Sequence, residues 1–255
     1  MPNVSNDLTG RVALVTGATS GLGLRFAQVI AASGAKVAVT GRRVDRLEKL
    51  AAEINDAGGV AEPIQLDMQN NDSILACVEQ AESKLGIVDV LVNNAGAFDG
   101  GPIEDIDLDM WNKVIGACMT GTFLATRSAF RIMKNGDGGR ILNIGSISAQ
   151  MPRMYSVPYT AAKHGISGLT KAAALEGRDY GIIVSALHPG NVRVERRIEE
   201  GVQTAGSGMA SEKNEPMMTV DEIADVALTM LALPGHINFL EAIVLPSEQS
   251  YLGRG

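Results

Sequence analysis

The stretch Arg11-Val-Ala-Leu-Val-Thr16-Gly17-Ala18-Thr19-Ser20-Gly21-Leu22-Gly23 decides the fold. Arg11 to Thr16 has the length and unbroken hydrophobicity of a strand covered on both faces. Glycines follow, and an apolar-periodic helix runs from near Leu22 to Ser33. A strand that turns through glycines into a helix is the setting in which a backbone meets a pyrophosphate. Gly17, Gly21 and Gly23 permit the tight turn and the close approach, and the unpaired amides and positive end of the helix face the anion. Thr19, Ser20 and Leu22 belong to the same turn.

The same rhythm repeats along the chain. Strand-like runs occur at Lys36 to Thr40, Ala61 to Asp67, Val88 to Asn93, Arg140 to Ile144, Ile182 to Leu187 and Ala242 to Leu245. Between them lie helical patterns at Val44 to Ala57, Ser73 to Leu85, Met110 to Lys134, Pro158 to Arg178 and Val220 to Leu233. Such alternation predicts an α/β fold, a doubly wound parallel sheet flanked by helices on both faces, as one domain over residues 1–255. Beyond Pro189-Gly190 the pattern loosens. Residues 191–218 are polar, contain Gly201, Gly206 and Gly208, and offer only a short helix around Val194 to Gly201, so a mobile substrate flap is expected there.

Composition removes several classes of function. The chain has 255 residues, 45% apolar and 20% charged, and its 29 glycines follow no collagen-like period, which excludes disorder and fibres. With 22 Lys plus Arg scattered against 29 Asp plus Glu, the net charge is −7, and nucleic acid is not an expected partner. Cys77 and Cys118 form no Cys-x-x-Cys pair, and His164, His188 and His236 have no ligand spacing, so neither a disulfide framework nor a metal is expected. No apolar run approaches the roughly 18 to 20 residues that span a bilayer. Met1 to Gly10 lacks the apolar core of a secretory signal, which points to the cytoplasm and no membrane partner. No Gly-x-Ser-x-Gly elbow supports a serine hydrolase.

A second constellation is Tyr159-Thr-Ala-Ala-Lys163, with Ser146 upstream. Residues four apart share a helix face, so the Lys163 ammonium lies near the Tyr159 phenol. A free phenol, with a pKa near 10, is a poor acid or base at neutral pH, and a neighbouring positive charge favours the phenolate. Ser146 would donate a hydrogen bond to a substrate oxygen as charge develops on it. Taken alone, a Tyr-x-x-x-Lys pair is also an ordinary surface feature of helices.

Together the two constellations resemble the short-chain dehydrogenase/reductase family, over nearly the whole chain. Thr16 to Gly23 is similar to the family's Thr-Gly-x-x-x-Gly-x-Gly turn, and Asn93-Asn94-Ala95-Gly96 to its Asn-Asn-Ala-Gly motif. The resemblance implies a Rossmann-type fold with Asn93, Ala95 and Gly96 beside the cofactor, Asp67 against adenine with Met68 next to it, and Pro189-Gly190 beside the nicotinamide. It also implies that Tyr159 exchanges the proton, Ser146 positions the carbonyl or alcohol oxygen, and Lys163 holds the nicotinamide ribose. A homodimer or homotetramer pairing the two long helices is implied as well.

Three departures from the family pattern stand out. Cys118 occupies the slot of an Asn that assists a water-mediated proton relay; water or another group completes the relay, or turnover is slow, or the reaction tolerates the loss. Val194 replaces a Thr that bonds the nicotinamide amide, leaving the backbone near Val192 as a substitute. The usual Asp-Gly-Gly near the C-terminus is absent.

Cofactor choice turns on the end of the second strand. A carboxylate there binds the ribose diol of NAD and repels the phosphate of NADP. This chain reads Thr40-Gly41-Arg42-Arg43, and guanidinium pairs with phosphate, so NADP(H) is expected over NAD(H), with Arg42 as main contact and Arg43 in support. The substrate is expected to be a small carbonyl or alcohol compound. Arg153, Arg193, Arg196 and Arg197 would suit an anionic one, while Met151, Met154, Met209, Met217 and Met218 would equally line an apolar pocket. The alternative from another class is a cofactor-sensing protein that keeps the fold without turnover.

Overall fold

In the computed structural model, residues 6–194 and 216–249 are described. The expected helix at Val194 to Gly201, most of the flap, Arg196, Arg197, Met209 and the chain end after Gln249 lie outside them.

Seven strands form one parallel sheet in the order β3-β2-β1-β4-β5-β6-β7. They are β1 (Val12–Thr16), β2 (Lys36–Gly41), β3 (Val60–Gln65), β4 (Val90–Asn93), β5 (Gly139–Ile144), β6 (Ile182–Pro189) and β7 (Glu241–Val244). The helices are α1 (Gly21–Ala32), α2 (Val44–Asp56), α3 (Asn71–Leu85), α4 (Leu108–Ile115), α5 (Gly121–Lys134), α6 (Val157–Gly177) and α7 (Val220–Ala232). The order reverses between β1 and β4, and a sheet of this kind opens a crevice at that switch point, outside the carboxyl ends of its strands.

Strand side chains alternate between the two faces and divide the core. Ala13 and Val15 of β1 and Val37 and Val39 of β2 pack with Phe26 and Ile30 of α1, Leu47 and Leu50 of α2 and Ile223 of α7. Leu14, Ala38 and Leu91 face the other way, onto Ile74 and Cys77 of α3 and Ala125, Ala129 and Met133 of α5. Burial pushes the Cys77 thiol up to about 12, despite a hydrogen bond from Thr40 that acts the other way. Cys77 is therefore core filler with no thiolate at neutral pH.

The expected helix from Met110 to Lys134 is interrupted. A π turn at Gly116–Thr120 separates α4 from α5, closed by the Gly121 N–H donating to the Gly116 carbonyl. Close packing accounts for its glycine exit: a Cβ on Gly121 would lie 2.5 Å from the Met68 carbonyl oxygen. The extra residue falls beside the crevice, where π turns are frequent. Elsewhere, strand and helix ends shift by one or two residues from the expected bounds, as at β4, which begins at Val90.

The two ends of the expected flap are pinned together. Val192 bridges Met218, the Arg193 N–H donates to the Met218 carbonyl at 2.9 Å, and the Met218 N–H donates to the Asn191 carbonyl at 2.9 Å. Among the described residues no helix is long and apolar enough to cross a membrane.

Candidate active site

One cavity of about 730 Å³ opens along the carboxyl ends of the strands. It runs from the glycine turn and Arg42, Arg43 and Arg46 at one end, past Asp67 and Met68, to Ser146, Tyr159, Lys163 and Pro189 at the other. Gly17, Thr19, Ser20, Gly21, Leu22, Ala95, Gly96, Gly190 and Val192 also line it, so nearly all expected site residues share one wall system.

The turn is built by close approach. Gly17 has φ +70°, and a Cβ there would meet the Ala95 Cα at 2.9 Å. Gly23 does not line the cavity; a Cβ on it would lie 2.2 Å from the Gly17 carbonyl oxygen, so its part is to let α1 pack beneath the turn. Asn93 differs from expectation too. Its side chain is buried and donates to Asn143 at 2.9 Å and to Thr126 at 3.0 Å, and Asn143 donates to Thr170 at 2.9 Å, tying β4, β5, α5 and α6 together. The next residue, Asn94, reaches the turn instead and donates to the Thr16 carbonyl at 3.0 Å and the Gly17 carbonyl at 3.3 Å.

Arg43 is the N-cap of α2 and donates to Thr19 Oγ1 at 2.6 Å and Ser20 Oγ at 3.2 Å. The α2 first turn has no side-chain cap and carries Arg46 as well as Asp45. Cations at the positive end of a helix are unfavourable unless an anion joins them. Arg46 was not expected from the sequence, although its place three residues after Arg43, in the first turn of a helix, is a usable signal.

At the other end, α6 presents Tyr159 and Lys163 on one face, with the Lys163 Nζ 5.5 Å from the Tyr159 ring centre. Lys163 is only 6% exposed and donates to the Ile144 carbonyl at 2.7 Å. Phe98 meets the Tyr159 ring edge-on at 5.1 Å and fixes its plane. Ser146 Oγ accepts the Ser148 N–H at 3.1 Å, which leaves the hydroxyl hydrogen to be donated outward. Two further residues escaped the sequence reading. Phe98 follows the Asn-Asn-Ala-Gly motif without a pattern of its own, and Gln249 comes from the far end of the chain to accept the Asn191 N–H at 2.8 Å.

Cys118 sits in the π turn, where Sγ donates to the Ala97 carbonyl and accepts the Ala97 N–H, both at 3.1 Å. A carboxamide offers the same donor and acceptor. Replacement Cys118→Asn is therefore expected to keep or raise the rate on a simple ketone. A loss greater than roughly tenfold with the fold intact, a deficit of about 1.4 kcal/mol, would show that sulfur has a role of its own. Val194 rests its Cγ1 over Gly21, 3.3 Å from where a Cβ would be, and lines the cavity. Arg193 lies in a separate shallow groove with Leu24 and Asp221.

His188 is fully buried just before Pro189. Burial holds its pKa below the ordinary imidazole value, and the Lys163 charge acts the same way against the pull of Glu241. Burial alone would raise the Glu241 carboxyl; Lys171, His188 and Ser167 outweigh it and hold it low. Between about pH 6.5 and the depressed folded value, the unfolded chain takes up a proton that the folded chain refuses, so stability falls as pH falls. A urea midpoint that decreases from about pH 7 to pH 5, with a smaller decrease in His188→Asn, is the expected result.

The glycine turn at the start of α1 and the Ser146, Tyr159 and Lys163 group thus line one cavity of about 730 Å³, which is the candidate site. Residues 11–204 match the short chain dehydrogenase family model, and the chain belongs to that family. It is 41% identical over 199 residues to trans-4-hydroxycyclohexanecarboxylate dehydrogenase of Sinomonas cyclohexanicum, covering 76% of each chain. It is 38% identical over 213 residues to D-beta-hydroxybutyrate dehydrogenase of Cupriavidus necator, covering 82% of each. An actinorhodin polyketide ketoreductase variant solved with NADPH superposes with a TM-score of 0.84 at 30% identity, covering 92% of this chain and 96% of that one. The protein is thus an oxidoreductase of the short-chain dehydrogenase family.

Proposed function

We propose that the protein transfers hydride between NADP(H) and a carbonyl or secondary-alcohol substrate, with Tyr159 as the proton donor and acceptor. The observation that carries this reading is the placing of Ser146, Tyr159 and Lys163 on one wall of the cavity that begins at the glycine turn. The lining supports a dinucleotide: Gly17 and Gly21 hold positive φ at the turn, and Arg42, Arg43 and Arg46 line the same cavity, where they would pair with a phosphate. The nicotinamide, when bound, supplies the hydride chemistry.

The chain's own residues do the rest. Arg42 and Arg46 hold the adenosine phosphate, with Arg43 bracing Thr19 and Ser20 beneath it. Asp67 and Met68 flank adenine. Lys163, anchored on the Ile144 carbonyl, directs its remaining N–H donors toward the ribose and the Tyr159 oxygen. In reduction, Ser146 O–H donates to the substrate oxygen while the Tyr159 O–H gives that oxygen its proton; in oxidation the proton moves back. Pro189, Gly190 and the Val192 backbone orient the nicotinamide face. The fold acts as one catalytic domain with residues 191–218 as its flap, and the enzyme works in the cytoplasm as a homodimer or homotetramer, the homotetramer being preferred.

A spectrophotometric panel of ketones, oxo acids and alcohols with both nicotinamides tests the reading. Turnover of at least one carbonyl and alcohol pair, faster with NADP(H), is expected. Nucleotide binding with no turnover across the panel would favour a sensor.

A further inference from the structure

The buried His188 has no part in the chemistry above, yet its ring touches the segment that carries Ser146. Its Nδ1 lies 3.3 Å from the Ser146 amide nitrogen and 3.2 Å from the Ser146 carbonyl oxygen. Its Nε2 faces Glu241 Oε1 across 3.5 Å, and among the described residues neither of these buried atoms has another hydrogen-bond partner. The other oxygen of Glu241 is paired with Lys171 at 2.9 Å. The ring also depends on a missing side chain: a Cβ on Gly145 would sit 2.2 Å from His188 Nδ1. Gly145 and His188 are thus matched although they lie far apart along the chain.

The charged groups around the ring fix its hydrogen. Glu241 comes from β7, and Lys163 and Lys171 from α6. A carboxylate facing Nε2 favours the hydrogen there, which leaves a lone pair on Nδ1, and a lone pair accepts from the Ser146 N–H but has nothing to offer the Ser146 carbonyl. The end of β5 is then held on two sides, by Lys163 on the Ile144 carbonyl and by His188 on the Ser146 amide. Ser146 itself is extended, with φ −170°, and begins a single 3-10 turn, so no helix or sheet ladder fixes its amide.

We propose that His188 is a positioning residue for Ser146: a neutral imidazole that carries its hydrogen toward Glu241 and accepts the Ser146 N–H, in the space that Gly145 leaves. This rests on the reading of Ser146 as the group that meets the substrate oxygen. Its consequence is that the aim of the Ser146 hydroxyl is set from behind the active site, through the 145–146 peptide.

Two measurements test it. Nitrogen-15 NMR of the whole protein labelled at histidine, with the His188 signals assigned by their loss in His188→Asn, is expected to show the Nε2–H tautomer at neutral pH. An Nδ1–H tautomer or an imidazolium would overturn the proposal, and this readout needs no turnover. In kinetics, His188→Leu is expected to lower kcat by roughly tenfold to a hundredfold, the scale of a small misplacement of a catalytic group, with the nucleotide Kd nearly unchanged. His188→Asn keeps a carbonyl oxygen where Nδ1 lies and is expected to recover most of the loss, while Gly145→Ala, which crowds the ring, should share the loss. A kcat for His188→Leu close to the parent's, or no rescue by Asn in a folded protein, would overturn it. Tyr159→Phe measured alongside separates the two failures, because an active Tyr159→Phe would remove the reaction assignment and leave the NMR result standing.

Discussion

Tyr159→Phe is expected to lower kcat by about a thousandfold while leaving nucleotide affinity within about twofold, since positioned general acids contribute 10² to 10⁴. That loss corresponds to about 4 kcal/mol of transition-state stabilisation. The substitution removes one oxygen and keeps the ring, so the edge-on packing of Phe98 at 5.1 Å persists and the fold is not disturbed. Lys163 stays on the Ile144 carbonyl, because that bond does not involve the phenol. Steady-state kinetics with NADPH, together with a fluorescence titration of the nucleotide, checks both halves. A loss of less than roughly tenfold would assign the proton to another group, for a general acid that matters contributes more than that.

The second large effect concerns the arginines at the mouth of α2. Hydrogen bonds to charged groups contribute about 1.5 to 3 kcal/mol each, so removing one from a phosphate costs roughly ten- to a hundredfold in affinity. Arg42→Ala is expected to lower kcat/KM for NADPH by that factor and to change the value for NADH by less than about threefold, a difference under 0.7 kcal/mol. Arg43→Ala behaves differently. Its guanidinium already holds Thr19 and Ser20, so its loss loosens the turn itself and weakens both nucleotides. Measuring the two ratios in both variants separates recognition of the phosphate from support of the turn. Equal losses with both nucleotides in Arg42→Ala, or a parent enzyme that prefers NADH, would refute the cofactor assignment.

Much of this site was legible in the sequence, because the strongest signals are local. The glycine turn needs three residues in eight, and the Tyr and Lys pair needs one turn of helix. Both arise from backbone geometry that neighbouring residues dictate. What stayed hidden depends on phase or on distance along the chain. In Asn93-Asn94 the motif does not state which asparagine faces the cavity. Pairing of Asn93 with Asn143 across β4 and β5 turns the first into the buried network and leaves the second to the turn. The interruption of the long helix has a similar origin, since the apolar spacing of Met110 to Lys134 reads as continuous. The approach of Gly121 to Met68 is a tertiary fact.

Longer separations erase the signal entirely. Gln249 and Asn191 are 58 residues apart, and nothing in the Leu245 to Gln249 tail suggests a bond to the turn after Pro189. The chain lacks the usual Asp-Gly-Gly near its end, and Gln249 reaches the loop after Pro189. Gly145 belongs to no sequence pattern, and the need for glycine there shows only with His188 in the room it leaves. Cys118 reads as a weakened relay until its thiol is seen to bond both the N–H and the carbonyl of Ala97.

If the cavity delivers a nicotinamide hydride to a carbonyl carbon, that hydrogen is traceable from coenzyme to product. Incubating the protein with NADPH deuterated at the transferring C4 position and the best ketone of the panel, then weighing the alcohol by mass spectrometry, tests that transfer most directly. One deuterium on the carbinol carbon of each product molecule is the expected result, and it should vanish with Tyr159→Phe. An alcohol product without deuterium, or bound nucleotide that never yields it to any ketone or oxo acid offered, would show that the cavity does not transfer hydride.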